Sequence, residues 1–201
     1  MAAIDAQRLA NSFRKLGWAG VWIQALLAII PLAMFVYLMM GKIMGVRPTL
    51  GFADYLALCG LAILAFTTFW SYRYTRAAPK LADADRRPSW PATVRMLWVG
   101  LWASCIGIAI SLLLLLIEVV RLLILFLKAP QAGVPILRTE LESRLQWVSA
   151  IDVVSLLAEV CTLIGELAIL GLTLWLLFAV WRHRDLFENA SAHEADPAAN
   201  S

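Results

Sequence analysis

Four mostly apolar stretches of twenty or more residues, at about 18–40, 52–73, 96–127 and 151–181, leave this chain few folds to choose from. Coiled into helices, runs of that length match the roughly 30 Å hydrocarbon thickness of a bilayer. Inside lipid every backbone polar group must be bonded within its own helix or a closed barrel. The expectation is therefore an all-α polytopic membrane protein, four transmembrane helices arranged as two hairpins with short interfacial helices at their ends. Composition agrees, because 62% of the 201 residues are hydrophobic and only 15% charged, where soluble domains hold roughly 45–50% and 25%.

Two of the four runs carry a line of polar side chains. In the fourth, Asp152, Ser155, Glu159, Thr162, Glu166 and Thr173 recur at intervals of three and four with one vacancy at Ile169, which stacks them on one helical face. In the third, Gly100, Ser104, Gly107, Ser111, Glu118 and Arg121 follow the same spacing, with Leu114 filling the gap. Such seams hide polar groups from lipid by turning toward each other or toward a neighbouring subunit.

Counting about 1.5 Å per residue from Met96 and Trp181 as inner-surface markers puts Glu118 and Glu159 roughly 33 Å up, with Arg121 one turn higher, between Glu159 and Ser155. Glu166 falls at roughly 22 Å, level with Ser111 and without a basic residue at its depth. One reading is a proton or cation relay along Glu166, Glu159, Glu118 and Arg121, with Ser111, Thr162 and Ser155 as hydrogen-bonding intermediates. The other is structural. The same groups would bond helix three to helix four, and Gly100, Ser104 and Gly107 would permit the close approach.

The ends of the runs read as membrane interfaces. Trp18 and Trp22 open the first span, Trp70 closes the second within WSYRYTR, Trp98 and Trp102 open the third and Trp181 closes the fourth. Pro31 is expected to kink the first span. Residues 1–17 are expected to form a surface helix with Leu9, Phe13 and Leu16 on its apolar side, and the apolar run that follows reads as an uncleaved first span. A second surface helix is expected over LRTELESRLQW, and residues 188–201 are expected to be disordered.

Lysine and arginine number eleven over the N-terminus, the second connection and the C-terminus, against five over the other two connections. Both termini are therefore expected on the cytoplasmic side. Trp18-Ala-Gly20-Val-Trp22 returns as Trp98-Val-Gly100-Leu-Trp102, a pattern that a 2+2 internal repeat would produce.

Chemistry-bearing motifs are sparse. Cys59, Cys105 and Cys161 sit singly in three different apolar runs, so neither a disulfide framework nor a metal motif is expected. There is no phosphate-cradling glycine loop and no nucleophile with a neighbouring base. His183 and His193, the two histidines, lie outside the bilayer core, so no haem held between paired histidines is expected. A net charge of +3 spread over several loops points to anionic lipid headgroups and not to nucleic acid. The expectation is a non-enzymatic accessory or scaffold subunit, partnered by lipids and other integral membrane subunits. No cofactor is expected, although a bound lipid or pigment would be compatible.

The segments FRKLGWAGVWIQ, FWSYRYTR, RRPSWPATVR, IDVVSLLAEV and LWLL together resemble an uncharacterised family of small four-span membrane proteins of cyanobacteria, plastids and proteobacteria. The resemblance covers about residues 13–178. That family's fourth span carries Asn and His where this chain has Glu159 and Glu166. Membership implies an integral protein of a bacterial cytoplasmic or thylakoid-type membrane and supplies no catalytic residue.

Overall fold

The computed structural model describes residues 2–45, 52–83, 86–128, 150–185 and 187, and within them the chain folds into five α-helices. Helix α1 covers Ala2–Leu27, α2 Ile29–Ile43, α3 Phe52–Ala82, α4 Trp90–Lys128 and α5 Ala150–Arg182. Helices α4 and α5 are long and apolar enough to cross a membrane, and α1 with α2 make a third candidate when taken as one bent span. Helix α3, which carries the expected second span, is not among these candidates. The expected surface helix after Pro135 and the tail 188–201 lie outside the described residues.

The first span bends by 42° between α1 and α2. Pro31 explains the position, since it has no N–H to offer the Leu27 carbonyl and its ring crowds that carbonyl from the next turn. The ladder continues on either side, with the Ala28 amide donating to Gln24 and the Leu32 amide to Ala28.

No boundary separates residues 1–17 from the first span. Helix α1 runs unbroken from Ala2, and Ala6, Leu9, Ala10 and Phe13 are buried against Tyr74, Ala78, Leu81, Leu97, Val180 and Phe187. The expected surface helix is instead one wall of an apolar cap. An apolar stripe is satisfied equally by lipid or by other helices, and here α3, α4 and α5 extend far enough to cover it.

Helix α1 runs antiparallel to α3, α3 to α4 and α4 to α5, as their contacts show, whereas α3 and α5 run parallel. A Cβ added to Gly17 would meet Thr75 and Ser71, and one added to Gly20 would meet Ser71, while Gln24 bonds Thr67. Gly17 is thus a point of close approach of α1 and α3: the added carbon would lie 2.7 Å from Thr75 Cγ2 and 3.0 Å from the Ser71 carbonyl oxygen. Gly60 faces Ile110 and Leu114 across α3 and α4, and Gly107 faces Glu166 across α4 and α5. Helix α5 packs against α1, α2, α3 and α4 and so carries the interior of the bundle.

Candidate functional site

Three polar levels lie along the interior of the bundle, above the apolar cap. The deepest joins three helices. Gln24 on α1 donates from Nε2 to Thr67 Oγ1 at 2.7 Å, and Thr67 on α3 donates to Glu166 Oε1 on α5 at 2.9 Å, each residue being 0% exposed. The Thr67 hydroxyl has a single proton, which the Leu64 carbonyl at 3.1 Å also solicits. Helix α4 closes the level with Gly107, where a side chain would come within 2.9 Å of Glu166 Cγ and Cδ. Ser104 is buried beside the same carboxyl without an aligned hydrogen bond, and among the described residues Glu166 Oε2 and Gln24 Oε1 have no partner.

The second level is a cavity of about 80 Å³ between α2, α3 and α5. Its wall is apolar on the α2 side, with Pro31, Met34, Phe35, Leu38 and Met39, and polar on the α5 side, with Ser155, Glu159 and Thr162. A volume of that size holds a few water molecules, and Ser155 and Glu159 offer them hydrogen bonds. The cavity exists because the bend at Ala28 directs α2 toward α5, leaving few contacts between α2 and α3. Thr162 returns its own hydroxyl to the Ala158 carbonyl at 3.0 Å.

The third level is ionic. Arg121 lies 3.5 Å from Glu118 and 3.7 Å from Asp152. The guanidinium side chain is 58% exposed while Glu118 and Asp152 are largely covered. The arginine therefore covers the carboxylates from outside.

These contacts correct the register expected from sequence. Arg121 reaches Asp152 and not the interval between Glu159 and Ser155, and Glu166 stands opposite Gly107 and not Ser111. Both differences are one helical turn in the same sense. The marker was misplaced: Trp181 packs edge-on against Trp90, with ring centroids 5.3 Å apart, so α4 enters the bundle more than a turn before Met96. Ser111 is buried and has no bonded partner among the described residues.

The six tryptophans expected at the membrane interfaces divide into two groups. Trp18, Trp22, Trp98, Trp102 and Trp181 are exposed, and Trp18 stacks on Trp22. Trp70 instead turns inward, donates from Nε1 to the Met96 carbonyl at 2.9 Å and carries Arg73 over its ring at 4.4 Å. His183 points a ring nitrogen at the Ala179 carbonyl 2.9 Å away and so belongs to the end of α5. Among the described residues no group of three His, Cys, Asp or Glu side chains could hold a metal ion.

Gln24 and Thr67 were not anticipated as members of this interior. Their signal was present, because Gly17, Gly20 and Gln24 share one face of α1, and Gly60, Leu64, Thr67, Ser71 and Thr75 share one face of α3. Neither face contains a charge, and small or hydroxyl residues stand out less among apolar ones than carboxylates do.

Large apolar residues outside, polar side chains gathered inside and two to three helices of spanning length define an integral membrane helix bundle. More narrowly, the chain belongs to the family described as "Protein of unknown function (DUF3611)", whose model matches residues 4–180. No curated protein and no solved structure matches it.

Proposed function

We propose that this protein crosses its membrane four times as two helical hairpins, with both termini cytoplasmic, and serves as a non-enzymatic accessory or scaffold subunit of a larger membrane complex. The observation that carries this reading is the Gln24–Thr67–Glu166 level, which ties α1, α3 and α5 together at full burial above an apolar cap. Polar groups used in this way fix helix positions and leave the outer surface for partners. That surface carries Trp22, Trp102, Phe126 and Phe178, the aromatic and large apolar residues favoured at subunit contacts. The membrane is a bacterial cytoplasmic or thylakoid-type one, as the resemblance to cyanobacterial, plastid and proteobacterial proteins implies. Purification of the tagged full chain in mild detergent tests the reading: co-purifying integral subunits at fixed stoichiometry are expected, and a chain recovered alone from its native membrane refutes it.

A second reading, a small proton or cation conductor using Glu166, Glu159, Glu118 and Arg121, draws support from the cavity at Glu159. Liposomes holding a pH-sensitive dye separate the two. Flux abolished by Glu166→Gln supports conduction, and no flux under any imposed gradient removes it.

A further inference from the structure

The C-terminal third of α3 continues well past the apolar part of its span, and one face of it changes character along the way. Phe69, Tyr72, Arg73, Arg76 and Lys80 follow one another at intervals of one, three and four, aromatic first and basic after. Arg86 and the first turns of α4 face this stripe, with Ala92, Thr93 and Met96 closing the other side. Between the two walls is a groove of about 980 Å³, near the top of the roughly 300–1,000 Å³ that ligand pockets occupy.

Its electrostatics are one-sided. Among the described residues Arg73, Arg76, Lys80 and Arg86 line it and are exposed, against the carboxylate of Asp83. Among the described residues these four cations make no ion pair, and two of them are held by ring contacts, Arg73 over Trp70 and Arg76 over Tyr72 at 6.0 Å. The stripe runs from Phe69, on the apolar part of α3, to Lys80, so on the membrane reading its aromatic end would border hydrocarbon and its basic end the headgroup layer.

We propose that this groove is a binding site for an anionic phospholipid, with the phosphodiester among Arg76, Lys80 and Arg86 and the acyl chains descending past Tyr72 and Phe69. A soluble anion would satisfy the cations but leave the aromatic end uncovered. A lipid satisfies both, and guanidinium groups pair with phosphate oxygens bidentately. The inference rests on the membrane reading given above. A chain that does not remain in the membrane fraction after carbonate washing fails that reading, whereas one that remains but shows no lipid preference fails this inference alone.

The test uses the full chain in dodecyl maltoside micelles, titrated with dioleoyl phosphatidylglycerol or dioleoyl phosphatidylcholine, with bound lipid read by native mass spectrometry. Saturable binding of the anionic lipid in preference to the zwitterionic one is expected. Arg76→Gln, Lys80→Gln and Arg86→Gln each weaken it about 5-fold, and the triple variant about 100-fold. Arg8→Gln, Arg14→Gln and Lys15→Gln together remove the same charge from the same expected side of the membrane and leave binding unchanged. Equal loss in both triple variants means a diffuse surface potential and overturns the proposal. Displacement by millimolar inorganic phosphate means a soluble-anion site and also overturns it. Should the first triple variant unfold, the wild-type preference and the phosphate competition still decide the question.

Discussion

Replacing Thr67 with valine removes one hydroxyl and little volume, which makes it the sharpest probe of the interior. The hydroxyl accepts from Gln24 and donates to Glu166, at 2.7 and 2.9 Å, and no exposed surface remains through which water could substitute. In a soluble protein each orphaned buried group would cost about 1–3 kcal/mol. The unfolded reference here is a set of separate helices still in a membrane-like phase, where polar groups find other partners, and measured interhelical bonds average about 0.6 and reach about 1.7 kcal/mol. The membrane figure governs, so the two bonds together predict a loss of about 1–3 kcal/mol. Titration of the purified full chain from dodecyl maltoside into dodecyl sulfate, followed by circular dichroism, reads this directly. Thr67→Ser, which keeps the oxygen, should retain most of the stability. A double-mutant cycle with Gln24→Leu should show that the two losses are not additive, since both changes break the same bond. A Thr67→Val protein as stable as wild type, or Ser and Val variants of equal stability, would refute the claim that this level holds the helices together.

Other perturbations follow from the same geometry. Gly107→Ala should destabilise by about 1–3 kcal/mol in the same titration, because its Cβ would press on Glu166 Cγ and Cδ, whereas Gly171→Ala, with nothing within 4 Å, should be neutral or stabilise by up to about 1 kcal/mol. Arg121→Gln should cost no more than about 1 kcal/mol, and the loss should shrink as salt is added, since the arginine is more than half exposed. Pro31→Ala restores the missing amide, so the bend should relax and the distance between spin labels at Tyr37 and Leu58 should shorten; an unchanged distance would show that packing against α5 sets the bend.

What could be read from the sequence depended on contrast. Carboxylates and serines among leucines reveal the inward face of α4 and α5, because lipid makes the opposite placement costly. The faces of α1 and α3 were harder to see, since glycine, threonine and serine are tolerated on either side of a membrane helix. Register failed for a different reason. Periodicity specifies which side of a helix faces inward but not how far it has slid along its neighbour, and the sliding was decided by Trp90 meeting Trp181. The N-terminal segment failed by degeneracy, because Leu9 and Phe13 show the same stripe whether lipid or α3 and α5 cover it.

The apolar cap imposes an order on biogenesis. Phe13 on α1 leaves the ribosome well before Val180 on α5, yet they belong to one cluster. At about 5–20 residues per second the early half of that contact waits roughly ten to thirty seconds for its mate. During that interval Leu9 and Phe13 have only α3, and later α4, to lean on. A chain truncated before α5 would emerge with this end of the bundle unsealed, so quality control acting on the nascent protein would find its target on the apolar face of α1.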